Sequence, residues 1–233
     1  MKIGILGGTF DPMHRGHTYL GRAVSTILDL DRVLFMVSHL PPHKGKQKIT
    51  SPFHRYSMVA MDLLEEEDLY PSQWELNRRK SSYTIETLQY FTSHYPQHQY
   101  CFIAGSDSLN EIHLWKDYAT LLEEHCFVFV QRPGAQVDLE ELKISGSLRQ
   151  KIHIVCEQDQ PIIRSGQTLL MTLDAPNISA SSLRKLIASG KRPSSKLISP
   201  LTSNQSISVT SSSWTFEKVF ILCSLPNSVI PFS

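Results

Sequence analysis

The stretch GGTFDPMHRGH, residues 7–17, follows directly on the apolar run KIGIL of residues 2–6. That run is short, rich in branched residues and uncharged after Lys2, which predicts a buried strand. Gly7 and Gly8 then punctuate it, because glycine permits the tight backbone needed where a strand ends near a ligand. Beyond His17, residues Leu20, Ala23, Val24, Ile27 and Leu28 recur at three- and four-residue steps, one apolar face of a helix. The stretch is therefore a strand-to-helix junction, with His14 just ahead of the helix and His17 in its opening. A helix N-terminus leaves amide N–H groups unpaired and carries partial positive charge, so it attracts phosphate. Gly7 and Gly8 would let a phosphate approach the backbone, and Thr9 would add a hydroxyl. His14 and His17 would each donate to phosphate oxygens. A plain surface turn would accommodate one histidine more readily than two at this spacing.

Outward from the junction, RVLFMV (32–37), YCFIAG (100–105), CFVFVQ (126–131), KIHIV (151–155) and LLMTL (169–173) read as further short strands. Between them, PFHRYSMVAMDLLEEE (52–67) and YTIETLQYF (83–91) show helical spacing. Strands separated by helices predict an α/β fold, a Rossmann-like parallel sheet flanked by helices on both faces. In such sheets ligands bind beyond the carboxyl ends of the strands, where the junction lies.

Composition adds bounds. The 233 residues can bury one large domain, and 23 Lys+Arg against 22 Asp+Glu leave a net charge of +1. That balance gives no electrostatic case for nucleic acid. No apolar stretch reaches the roughly 18 residues a membrane span needs, and no signal peptide is visible. Of the four cysteines, Cys101, Cys126 and Cys156 lie in or beside strand-like runs and read as buried free thiols. A cytoplasmic location is expected.

Several chemistries are absent from the junction. It is neither G-x-x-x-x-G-K-[ST] nor G-x-G-x-x-G, which argues against a P-loop and a dinucleotide fingerprint. His14 and His17 lack a third nearby metal ligand, and no G-x-S-x-G elbow occurs, so neither a zinc site nor a serine nucleophile is expected.

His14-Arg15-Gly16-His17 resembles the H-x-G-H signature of the nucleotidyltransferase superfamily. A second stretch, NISASSLRKLIASGK (177–191), reads alone as a capped helix with Leu183, Leu186 and Ile187 inward and Gly190 as its stop. It also resembles that superfamily's I-S-S-T-x-I-R signature, with Ala180, Ser181 and Leu183 in place of Ser, Thr and Ile. LPPHK (40–44), SSYTIETL (81–88), FIAGSDSLNEIHLWKDY (102–118) and QRPG (131–134) resemble further segments of one member family, nicotinate-nucleotide adenylyltransferase. The similarity spans roughly residues 1–200.

This resemblance implies the nucleotidylyltransferase fold over residues 1–201, with residues 202–233 a diverged, poorly ordered tail. It implies transfer of AMP from ATP to nicotinate mononucleotide, giving deamido-NAD and pyrophosphate in NAD biosynthesis. Mg²⁺ would be held mainly by the ATP phosphates rather than by protein ligands. His14, His17, Lys44 and Arg184 would be catalytic, the histidines at the α-phosphate and the cations at the β- and γ-phosphates. Gly7, Gly8, Thr9, Phe10, Gly105, Asp107 and Ser181 would bind ATP. Ser38, Thr84, Trp115 and Arg132 would bind the acceptor, with Trp115 stacked on the pyridine ring. Plainer roles stay open for single residues: Lys44 in a solvated basic loop, Trp115 in the core, Asp107 as a cap for a helix from Ser108. Alternative functions are adenylyl transfer to nicotinamide mononucleotide or another superfamily acceptor, and a nucleotide-binding sensor without turnover. No nucleic-acid or membrane partner is expected, and the sequence leaves the oligomeric state open.

Overall fold

Seven strands, all parallel, form one sheet, and their side chains alternate between two apolar layers. The computed structural model describes residues 1–41, 49–78, 80–81, 83–131, 136–156, 158–159 and 161–199. The strands are β1 (Lys2–Gly8), β2 (Arg32–Val37), β3 (Leu69–Ser72), β4 (Gln99–Gly105), β5 (Cys126–Gln131), β6 (Ile152–Val155) and β7 (Thr168–Thr172). The helices are α1 (Arg15–Leu28), α2 (Pro52–Asp62), α3 (Trp74–Asn77), α4 (Thr84–His94), α5 (Ser106–Asn110), α6 (Tyr118–Glu124), α7 (Gly146–Arg149) and α8 (Ala180–Ala188).

The period of two in each strand decides which layer a residue joins. Val33, Phe35 and Val37 of β2 pack with Leu20 and Val24 of α1 and Met58 and Val59 of α2. Leu34 and Met36, one residue out of phase, pack with Ile85, Leu88 and Phe91 of α4 and Leu121 and Leu122 of α6. Both faces are thus buried, which is why the strands read as unbroken apolar runs. The expected α/β sheet with helices on both faces is the architecture found.

Strand order is β3-β2-β1-β4-β5-β7-β6. The chain works outward from β1 to β3 and then returns to the other side of β1 with β4. The order reverses between β1 and β4, and that switch point is where α/β sheets open a crevice at their carboxyl edge.

Some elements differ from expectation. The helix expected over 52–67 stops at Asp62, with Leu63 as its C-cap donating to the Val59 carbonyl. The acidic run Glu65–Glu67 beyond it would sit badly at a helix's negative end. Strand β3 escapes the sequence pattern because it is only four residues long and contains Pro71. Pro71 is tolerated because β3 is the sheet's edge and pairs on one side only. In α8 only Leu183 is fully buried, while Leu186 and Ile187 are not. Cys101 and Cys126 are buried, whereas Cys156, one residue past β6, is exposed. No helix among the described residues is long and apolar enough to cross a membrane. The expected domain boundary at 201/202 and the tail beyond it lie outside the described residues.

Candidate active site

A cleft of about 350 Å³ opens at the switch point. Its floor is the carboxyl ends of β1 (Leu6, Gly7, Gly8) and β4 (Phe102, Ala104, Gly105). Thr9, His17 and Leu20 wall one end; Thr84, Glu111, Trp115 and Lys116 belong to the other, with Ser38, Pro41, Glu75, Tyr83, Asp107 and Ser108 also lining it. Gly7 and Gly8 are demanded by space rather than by unusual dihedral angles. A Cβ on Gly7 would come within 2.4 Å of the Phe102 ring, and one on Gly8 within 2.7 Å of the Phe10 ring.

The first turn of α1 differs from the expected backbone cradle. The Arg15 amide donates to the Leu197 carbonyl (3.0 Å) and the His17 amide to the His14 carbonyl (2.8 Å). Two amides expected to await phosphate are therefore already engaged. What reaches the cleft is the His17 side chain, beside the open end of β1. His14 is the N-cap of α1 and is buried, its ring stacked on that of His17 at 3.6 Å. The backbone N–H of His14 donates to His17 Nδ1 (3.3 Å). That bond assigns the proton of a neutral His17 to Nε2, which is then a donor.

Phe10, at φ 49°, is buried, with its ring edge-on to His17 (5.0 Å) and tilted against Phe35 (5.7 Å). Its ring supports the histidine from the core side and does not line the cleft. Asp107 is not the cap of a helix from Ser108: α5 begins at Ser106 with Gly105 as N-cap, so Asp107 sits inside the first turn. An aspartate there complements the helix dipole and still lines the cleft.

The two motifs farthest apart in sequence meet. Arg184, in α8, donates from its guanidinium to the Asp11 carbonyl in the loop after β1, and also to Ser181 Oγ at 3.1 Å. Ser181 and Arg184 are both exposed, beside the junction rather than within the cleft lining. Ser179 caps α8, its side chain accepting from the Ser182 amide at 3.4 Å. Thr84 opens α4. Trp115 is half-buried and edge-on to Phe102 at 5.9 Å, so the tryptophan serves the core and the cleft at once. Ser38 donates through its hydroxyl to the Gly8 carbonyl (3.3 Å). Lys44 and Arg132, both expected at the site from the sequence, lie outside the described residues.

Glu75, Tyr83, Lys116 and Arg55 were not among the site residues expected from the sequence. Glu75, buried, accepts from Thr87 Oγ1 at 2.7 Å and lines the cleft with Tyr83. Lys116 places its ammonium 4.9 Å from the centre of the Tyr83 ring and 3.2 Å from Glu86. Arg55 is fully buried beneath the loops after β1 and β2. Burial lowers its guanidinium to about 10, against the opposing pull of Asp11. The one signal available for Arg55 was a cation one helical turn from the apolar Met58 and Val59, which face the core.

Comparisons with known proteins place the chain in a family. A model of the cytidylyltransferase-like family matches residues 5–186. A Clostridium tetani protein described as "Probable nicotinate-nucleotide adenylyltransferase" is 39% identical over 137 residues, covering 59% of this chain and 68% of the relative. A Shewanella baltica protein of the same description is 34% identical over 207 residues, covering 87% of this chain and 94% of the relative. Plasmodium falciparum nicotinic acid mononucleotide adenylyltransferase shares the fold. Its complex with APC gives a TM-score of 0.68 at 19% identity, over 90% of this chain and 96% of that one. The chain belongs to the cytidylyltransferase-like family and, within it, to the nicotinate-nucleotide adenylyltransferases.

Proposed function

We propose that this chain transfers the adenylyl group of ATP to nicotinate mononucleotide, releasing pyrophosphate and forming the deamido dinucleotide of NAD biosynthesis. The observation that carries the proposal is one cleft with two unlike ends. One end offers Gly7, Gly8, Thr9 and His17, suited to phosphate; the other offers Trp115 and the N-terminus of α4 at Thr84, suited to a flat ring bearing an anion.

In this scheme an oxygen of the acceptor's phosphate attacks the α-phosphorus of ATP. The new P–O bond forms as the bond to the β-phosphate oxygen breaks, and pyrophosphate leaves in line. The protein supplies placement and charge stabilisation, with no covalent intermediate on a side chain. His17 Nε2–H donates to the α-phosphate oxygens as charge builds on them. His14, stacked beneath, holds His17 in that orientation. Arg184, Ser181 and Lys44 bind the outer phosphates. Asp107 and Gly105 meet the adenosine, while Ser38, Thr84, Trp115 and Arg132 hold the acceptor.

Mg²⁺ belongs to this scheme as a companion of the ATP phosphates. In the scheme the ion is held by phosphate oxygens and water rather than by a set of protein carboxylates. When bound it neutralises charge on the phosphates facing the nucleophile. The enzyme would act on free nucleotides in the cytoplasm.

The test is pyrophosphate release by the purified full-length chain given ATP, Mg²⁺ and nicotinate mononucleotide, with nicotinamide mononucleotide and phosphopantetheine as alternative acceptors. Turnover with the first acceptor is expected. Binding of ATP without turnover on any acceptor would replace the proposal with a nucleotide sensor.

A further inference from the structure

Among the described residues Arg55 is the bulkiest side chain fully withdrawn from solvent, and it lies in the first turn of α2. Its Nε donates to the Thr50 carbonyl (2.9 Å) and Nη1 to the Thr9 carbonyl (2.7 Å). Its Nη2 donates to the carbonyls of Ser38 (2.7 Å) and His39 (3.0 Å). Thr9 belongs to the loop that follows β1 and Ser38 to the loop that follows β2, on neighbouring strands. Both residues line the cleft.

Stability does not account for this arrangement. A cation in the first turn of a helix opposes the helix dipole. A buried cation also forfeits its hydration, whereas an apolar side chain of similar volume would fill the space without that cost. What only a guanidinium provides is a planar fork of donors at fixed angles, able to span three separate chain segments at once. The Ser38 N–H and hydroxyl already meet the Gly8 carbonyl (3.1 and 3.3 Å); the fork extends that link one residue further on each side, to Thr9 and His39.

Building on the adenylyl-transfer scheme, we propose that Arg55 is a positioning residue which holds the Thr9 loop and the Ser38 loop as one frame, so that nucleotide and acceptor meet in line. It touches neither substrate. It acts through the two loops that do.

A positioning role predicts where the kinetic loss falls. Misplacing one substrate relative to the other lowers turnover in the ternary complex, while each substrate still finds its own loop. Arg55→Lys keeps the charge and loses the fork. With this variant, assayed well below its melting temperature, kcat should fall at least about tenfold while both KM values stay within about threefold of wild type. A folded Arg55→Lys enzyme with wild-type kcat, or a loss confined to the KM of one substrate, overturns the proposal. Should that variant not fold, native hydrogen exchange on the wild type decides instead. As one frame, the amides of residues 9–11 and 38–40 should show protection within about tenfold of each other, and a larger difference overturns the proposal. The exchange measurement needs no activity, so failure of the frame is distinguishable from failure of the adenylyl-transfer scheme, which would appear as a wild type that releases no pyrophosphate.

Discussion

The imidazoles of His14 and His17 lie stacked with centroids 3.6 Å apart and planes 17° from parallel, and the His14 backbone N–H closes the pair by donating to His17 Nδ1. Two roles follow from one geometry. His14 is buried and absent from the cleft lining, while His17 lines the cleft, so in the proposed scheme His14 backs His17 rather than meeting the α-phosphate itself. His17→Ala should cut kcat by about 10²–10³, the scale for losing one transition-state donor, with little change in melting temperature. Gln places its amide nitrogen near the position of Nε2, whereas Asn reaches only as far as Nδ1. Rescue should therefore be greater in His17→Gln than in His17→Asn. Pyrophosphate release under saturating substrates measures all three, and near-normal kcat in His17→Ala would take the residue out of the chemistry.

Arg184 reaches across from α8 to the Asp11 carbonyl, so the guanidinium is already anchored beside the loop after β1. Its second partner, Ser181 Oγ, stands one helical turn away. Because only ATP carries a γ-phosphate, Arg184→Ala should raise the KM for ATP much more than that for the mononucleotide. Steady-state kinetics with each substrate varied in turn decides this. Equal shifts in both constants would place Arg184 in a structural role, tying α8 to the junction.

The same junction shows how far the sequence could be read. Its strand, its helix and the approach of His17 to the cleft all follow from apolar periodicity and glycine placement, because those signals are local. Asp11 and Arg184 meet although they lie 173 residues apart in sequence, and their meeting was visible only as two motifs of one family. The engagement of the Arg15 amide by Leu197 carried no signal, since a backbone carbonyl leaves no mark on the residue pattern. Arg55 and Glu75 escaped the sequence reading for a related reason: each is an ionisable side chain buried by tertiary contacts, and local patterning places such residues at the surface. Strand β3 was hidden by Pro71, which a sheet interior would exclude and an edge accepts.

Cysteine reactivity reports directly on the packing of β4 against β5. Burial pushes the Cys101 thiol well above its ordinary range, and burial pushes Cys126 up to about 12. Since the thiolate is the reactive form, both should resist an aromatic disulfide reagent at pH 8 in the native protein. Cys156 is exposed and should react. In a Cys223→Ser background, one thiol should titrate rapidly and two more only in denaturant. Rapid native reaction of all three would contradict the packing of the two strands.

His125 closes α6 and is nearly buried. Burial holds its imidazole below the usual range, only partly opposed by Glu124. The unfolded chain therefore binds a proton here at higher pH than the folded one does. Stability tied to this residue is present above the unfolded value of about 6.5 and is lost as pH falls below it. Melting temperature should decline as pH falls from neutral to mildly acidic, and His125→Asn should flatten that decline. A variant with the wild-type pH slope would show that His125 is not the group responsible.

Acceptor choice turns on what the far end of the cleft presents to the pyridine substituent. Thr84 is the first residue of α4; the Glu86 amide already donates to the Tyr83 carbonyl (3.0 Å), which leaves the Thr84 and Ile85 amides to face the cleft end of the helix. Lys116 adds a positive charge at the same end, 4.9 Å from the Tyr83 ring. Glu75 opposes an anion there, but its carboxylate is held by Thr87 Oγ1, on α4 itself, at 2.7 Å. A substrate carboxylate accepts from N–H donors at both oxygens, whereas an amide must turn an NH₂ donor toward at least one of them. That mismatch leaves a buried donor unsatisfied, at about 1–3 kcal/mol. The kcat/KM for nicotinate mononucleotide should then exceed that for nicotinamide mononucleotide at least about tenfold, since each ~1.4 kcal/mol is a factor of ten. Lys116→Met should narrow the ratio by raising the KM of the acid alone. Equal kcat/KM for the two mononucleotides in the wild type would mean that the α4 amides do not face the substituent, and would make this a dual-specificity enzyme.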